Sequence, residues 1–143
     1  MTGQVDVGFS GVPFFLDQTE DGKIRIVATG SDVASLKSRT GRVNITNLQT
    51  LQNRRNVLVR FHAAYKDTIE WMYSDPAALK IFSEFTGLPE RVVGKVRELV
   101  PKDTLAPDRI VGIDQILAEA VSMKFLPAPL SAEQVKELIQ IPQ

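Results

Sequence analysis

The sequence predicts an α/β chain in which a small set of parallel strands is followed by a helix-rich carboxy-terminal region. In the first third of the chain, apolar residues alternate with polar or small residues, which is typical of half-buried strands. From Asn53 onward, apolar residues recur at three- and four-residue steps, which is typical of amphipathic helices. Proline and glycine separate these segments and indicate where each element ends.

Strands and one helix are predicted in the amino-terminal third. Residues 5–9 and 23–29 carry the alternating pattern of strands. Pro13 suits the start of a helix between them, and the Glu-Asp-Gly turn at 20–22 ends that helix. This order predicts one β-α-β unit with parallel strands and a right-handed crossover. A third short strand is predicted at residues 42–46.

A helix of about five turns from Asn53 is the strongest local prediction. Its apolar stripe consists of Val57, Leu58, Phe61, Ala64, Tyr65, Thr68, Ile69 and Met72. Asp75 can cap a following helix whose first position suits Pro76, so the long helix is expected to end at the Ser-Asp-Pro sequence. Gly87 is expected to end the second helix.

Three more helices are predicted in the last third of the chain. One starts at the Leu-Pro-Glu sequence of residues 88–90 and ends at Pro101. The next begins near Pro107 and runs to about Lys124. A last helix is expected after Ser131, because Ser131 and Gln134 have the spacing of a capping box.

Composition narrows the class of protein. The chain has 143 residues, of which 43% are apolar, so one domain that buries roughly two-thirds of its unfolded surface is expected. Lys plus Arg number 17 and Asp plus Glu number 17, so no charge excess favours nucleic acid or anionic lipid. The chain contains no cysteine, which excludes disulfides and thiolate chemistry.

The best candidate site follows the first predicted strand. Phe9, Ser10 and Gly11 would lie at the carboxyl end of that strand, and Pro13 and Phe14 would lie at the start of the helix. Open α/β sheets bind ligands at this place, and the amino terminus of a helix offers free N–H groups to an anion. These five residues are therefore the predicted ligand-binding residues. Turn chemistry between a strand and a helix explains the same residues without a ligand.

Catalysis finds little support in the sequence. A nucleophile elbow needs glycine two residues after Ser10, and this position is Val12. His62 is the one histidine, and it lies on a different helix beside the apolar stripe. No other candidate ligand lies at a spacing from His62 that would predict a metal site. No pair of carboxylates predicts acid-base catalysis. We therefore expect no enzyme activity, no metal and no cofactor.

Arginines form a locally basic region between the two halves of the chain. They are Arg39, Arg42, Arg54 and Arg55. Such a region can meet an anionic ligand or remain solvated, and the sequence favours solvation.

Five segments together resemble a known family. They are residues 3–10 (Gly-Gln-Val-Asp-Val-Gly-Phe-Ser), 22–28, 61–76, 108–112 and 125–130. In this order they are similar to the carboxy-terminal half of the periplasmic substrate-binding proteins of ABC importers for nitrate, sulfonate and taurine, and of the related thiamine-precursor binders. The resemblance extends over nearly the whole chain.

The resemblance implies a partial type II periplasmic-binding-protein fold, in which two lobes close over a solute. Residues 1–34 would form the end of the second lobe, and residues 35–143 would return into the first. The implied function is binding of a small anionic or zwitterionic solute that contains nitrogen or sulfur, delivered to an ABC permease. The implied location is the periplasm.

The chain departs from the family because the amino-terminal half of a typical member is not present. Uncovered strand edges and helix faces predict a homo-oligomer or a domain swap. The amino terminus lacks the basic and apolar regions of a secretory signal, and this predicts a cytoplasmic location if the chain is the whole gene product. The alternatives are a non-catalytic interaction or oligomerisation protein derived from such a binding protein, or an enzyme similar to the thiamine pyrimidine synthases.

Overall fold

The computed structural model of the chain describes residues 3–37 and 39–142. Within these residues the chain forms α-helices and two short 3₁₀ turns, and no β-strand. The predicted α/β class, with its parallel strand set and partial type II binding-protein fold, is therefore wrong. The two predicted lobes, residues 1–34 and 35–143, include residues 1, 2, 38 and 143, which lie outside this part. The division into lobes stays a prediction.

The helices differ widely in length, from five to 20 residues. Their bounds are α1 Leu16–Glu20, α2 Leu48–Asn53, α3 Arg55–Ser74, α4 Ala77–Thr86, α5 Glu90–Leu99, α6 Ile113–Ser122 and α7 Ala132–Leu138, with 3₁₀ turns at Gly30–Asp32 and Lys102–Leu105.

The three predicted strands are irregular segments. Residues 5–9, 23–29 and 42–46 carry no strand assignment, so the predicted β-α-β unit is not formed. Their apolar side chains remain exposed, Val7 at 72% and Ile45 at 90%. An alternating pattern creates a strand only where a neighbouring backbone supplies hydrogen bonds, and no strand ladder forms among the described residues.

Local end signals place several helices where the sequence predicts them. The long helix is confirmed as α3, which ends at Ser74. The carboxylate of Asp75 then accepts a hydrogen bond from the Ala77 N–H at 2.8 Å, at the start of α4. Gly87 ends α4 with φ of 69°, a left-handed conformation that glycine adopts without strain. Ser131 and Gln134 form the predicted capping box of α7.

Two helices begin later than predicted. Helix α1 starts at Leu16, three residues after Pro13, because residues 12–15 form a turn first. Helix α6 starts at Ile113, not near Pro107. The backbone of Val111 is engaged elsewhere: its N–H donates to the Thr40 hydroxyl at 2.8 Å, and its carbonyl accepts from the Thr40 N–H at 3.2 Å. These bonds across the chain prevent a helix from running through Val111.

The packed core is small and centres on α5. The buried apolar side chains of the described residues are Leu16, Ile69, Ala78, Val92 and Val93. Helix α5 contributes two of them and contacts both α4 and α1. Of the predicted stripe on α3, Ile69 alone is buried in the described part, and Phe61 is about half exposed.

The chain exposes far more surface than a compact protein of its mass. Its accessible surface is 11162 Å². A compact monomer of 15.8 kDa exposes about 7,300 Å². The excess is about 3,800 Å², and the chain buries roughly half of its unfolded surface where the sequence predicts two-thirds. The expected burial is therefore wrong, since much of the apolar surface lacks a cover.

Candidate functional site

The predicted ligand-binding residues lie in one exposed turn that leads into α1. Phe9 is 103% exposed, and Phe14 is exposed as well. The Ser10 hydroxyl donates to the Gly11 carbonyl at 3.4 Å, and the same carbonyl accepts from the Phe14 N–H at 3.1 Å. The Pro13 carbonyl accepts from the N–H of the buried first residue of α1 at 3.5 Å. The structure thus brings Ser10 to Phe14 together as a turn.

The geometry expected around this turn is not formed. No strand forms among the described residues before it, and the helix that follows, Leu16–Glu20, has five residues. Phe15 occupies its amino-terminal cap with φ of 64° and supplies no side-chain hydrogen bond to the helix. The five predicted residues therefore form one open wall. A ligand would be enclosed only if a second surface faced this wall.

Helix α1 holds the turn against the core. Leu16 is buried, and α1 contacts α5. An ion pair between Arg91 of α5 and Glu20 of α1 joins the two helices at the surface. Phe14 and Phe15, which precede Leu16, remain exposed. The turn is thus anchored at one end and open along its apolar side chains.

A partly buried arginine joins the middle of the chain to α6. The guanidinium of Arg39 donates to both carboxylate oxygens of Glu119, at 2.9 and 2.6 Å, and its side chain is 13% exposed. This bidentate geometry is the strongest form of such a pair. The hydrogen bond from Arg39 lowers the pKa of Glu119, and Glu119 raises the pKa of Arg39. Glu119 was not predicted from the sequence, because 80 positions separate it from Arg39.

The basic character of this region extends further than the four arginines predicted from sequence. Residues 33–66, which we call the basic segment, contain seven Lys and Arg and no Asp or Glu. Arg54, Arg55 and Arg60 are exposed at the start of α3 and form no ion pair within the part of the chain described by the structure. Arg55 and Arg60 line one shallow depression there.

His62 lies on α3, the predicted long helix, and it is partly exposed. Its surroundings include the ion pair of Lys66 with Asp108, at 2.7 Å. Lys66 and, more weakly, His62 lower the pKa of Asp108. The hydrogen bond to Asp108 raises the pKa of Lys66. This group joins α3 to the segment before α6, and no third carboxylate or histidine completes a metal site among the described residues.

A second shallow groove lies between α6 and α7. Apolar side chains of both helices and of the loop between them line it, among them Leu117, Val121, Leu130 and Val135. The groove does not include the predicted ligand-binding turn. Among the helices that the structure describes, none has the length and apolar character needed to cross a membrane.

Comparisons with protein-family models, curated proteins and solved structures give no match to this chain.

Proposed function

We propose that the chain is a non-catalytic binding component of an ABC importer, or a remnant of one, that acts only when another polypeptide covers its exposed apolar surface. The surface excess of about 3,800 Å² over a compact monomer supports the requirement for a covering polypeptide, and the sequence resemblance supports the importer role. A binding component with one open wall needs a second surface to enclose its ligand.

The location of the exposed residues supports the same conclusion. Large apolar side chains that remain exposed are concentrated in the amino-terminal part of the chain. Of 20 such side chains in the described residues, 13 lie between Val5 and Phe61. The predicted ligand-binding turn lies within this stretch, so a covering polypeptide would also supply the missing wall of the site. The resemblance to solute-binding proteins supplies the ligand class, a small anionic or zwitterionic compound with nitrogen or sulfur.

A thermal-shift titration tests this function. The protein is unfolded at high concentration, where association is favoured, in the presence of nitrate, taurine or ethanesulfonate. A ligand at a hundred times its dissociation constant adds about 2.7 kcal/mol to the free energy of unfolding. The double variant Phe9→Ala, Phe14→Ala should lose the shift. The matched control Phe125→Ala, which removes an equally exposed ring outside the turn, should keep it.

The same surface excess favours one other candidate function. A non-catalytic interaction or oligomerisation protein would present its apolar surface to a polypeptide and bind no solute. Such a protein would associate with its partner and show no thermal shift with any of the three ligands. Association that persists in the Phe9→Ala, Phe14→Ala variant, without a ligand response in the parent chain, would favour this second function.

A further inference from the structure

The charges and the exposed apolar side chains divide the first 66 residues into two unlike surfaces. The basic segment, residues 33–66, carries seven cations and no carboxylate. The segment before it, residues 3–32, carries five carboxylates and two cations and is called the acidic segment. Both segments expose large apolar side chains, for example Phe9 in the acidic segment and Ile45 in the basic one.

We infer that residues 3–37 and 39–66 form the contact surface for a second copy of this chain, with the acidic segment of each copy lying against the basic segment of the other. The inference rests on the proposed function, because that function requires another polypeptide to cover this surface. It adds the identity of the polypeptide and the segments that meet.

The exposed area is sufficient for a stable dimer. Obligate homodimer interfaces bury about 2,000–5,000 Å² in total, or roughly 1,000–2,500 Å² from each chain. The chain exposes about 3,800 Å² more than a compact monomer, so an interface of this size fits within the excess. Most of the exposed large apolar side chains of the described residues lie between Val5 and Phe61, where the proposed interface is placed.

The charges determine which segments can meet. Two basic segments in direct contact would bring like charges together, which is unfavourable at an interface. The reciprocal arrangement pairs each basic segment with an acidic one and satisfies two-fold symmetry, because each contact occurs twice. Exposed groups remain available for these contacts: Arg54 and Arg55 in one segment, and Asp6 in the other, form no ion pair within the described residues.

A mixing experiment with charge-reversed variants tests the inference. Light scattering should give the unmodified chain a mass of twice 15.8 kDa. The variant Arg54→Glu, Arg55→Glu places acidic groups opposite acidic groups, and the variant Asp6→Arg, Asp17→Arg places basic groups opposite basic groups. Each variant alone should associate at least about 10-fold more weakly. An equimolar mixture restores both contacts, and its association should return to within about 3-fold of the unmodified chain.

The control is the variant Lys80→Glu, Lys136→Glu, which reverses two exposed charges outside residues 3–66. It should associate as the unmodified chain does, and helical circular dichroism should show that all variants are folded. A monomeric unmodified chain, or a dimer that the variants at residues 6, 17, 54 and 55 leave unchanged, would overturn the inference. An unmodified chain that dimerises and shows no ligand-induced thermal shift contradicts the binding function alone. An unmodified chain that shows the shift, while the variants at residues 6, 17, 54 and 55 dimerise unchanged, contradicts the arrangement of the segments alone.

Discussion

Replacement of Val92 by alanine measures how much the small core contributes to stability. Val92 is 1% exposed on α5, the helix that contacts both α4 and α1. Removing its two methyl groups loses about 1.6 kcal/mol of transfer free energy at ~0.8 kcal/mol per group. An unrelaxed cavity adds about 1 kcal/mol, and the better helix propensity of alanine returns about 0.5 kcal/mol. The expected loss in the free energy of unfolding is therefore about 2 kcal/mol.

Urea unfolding followed by circular dichroism at a helix wavelength provides the measurement. The control is Ile81→Ala, which removes more carbon from a helix position that is 52% exposed in α4. That control should change the free energy of unfolding by less than about 0.5 kcal/mol. If Val92→Ala and Ile81→Ala differ by less than about 0.5 kcal/mol, Val92 does not lie in a core and α5 is not the central packing element.

Two further predictions concern backbone conformation and pH. Gly87→Ala should lower the free energy of unfolding by about 1 kcal/mol, because φ is 69° at this residue. Gly94→Ala should raise the free energy of unfolding by about 0.5–1 kcal/mol, because Gly94 lies in the middle of α5 with open space at its Cβ position. Equal signs for the two glycines in urea unfolding would contradict the helix end at Gly87. The pKa of Glu119 is lowered by Arg39, so the stability from this pair is present above the ordinary carboxyl pKa of 4.5 and is lost as the pH falls through the lower folded value. Glu119→Gln should therefore be less stable than the unmodified chain at neutral pH. Thermal unfolding should show that this difference in stability shrinks below about pH 4. A difference that does not depend on pH would show that the pair does not act through charge.

Helix ends were predictable because their signals are local. A cap, a proline and a glycine act on backbone groups within a few residues, so Asp75, Gly87 and Ser131 mark ends that the structure confirms. The start of α6 was not predictable for the opposite reason. Its position depends on hydrogen bonds between Val111 and Thr40, which lie 71 positions apart. For the same reason, the ion pair of Arg39 with Glu119 could not be predicted from local sequence patterns.

The predicted strands failed for a related physical reason. An alternating apolar pattern states which face of a strand would be buried, but the hydrogen bonds that hold a strand come from another backbone. In residues 5–9 and 42–46 the pattern is present and the partner is absent from the described part of the chain, so the apolar side chains stay exposed. The same condition affects the predicted ligand site, because Phe9, Ser10 and Gly11 were expected at a strand end.

The exposed segments with an alternating apolar pattern and the excess accessible surface both favour association with another polypeptide. Each unpaired backbone segment retains its hydrogen-bonding groups, and each exposed apolar side chain retains a favourable free energy of burial. A second polypeptide can satisfy both at once, and within one chain Arg39 and Lys66 of residues 33–66 do not pair with the carboxylates of residues 3–32. The ion pairs of Arg39 and Lys66 instead hold the two ends of the basic segment to Glu119 and Asp108, in the carboxy-terminal part. This arrangement holds the ends of the basic segment to its own chain and leaves its exposed middle accessible for the dimer contact that we infer.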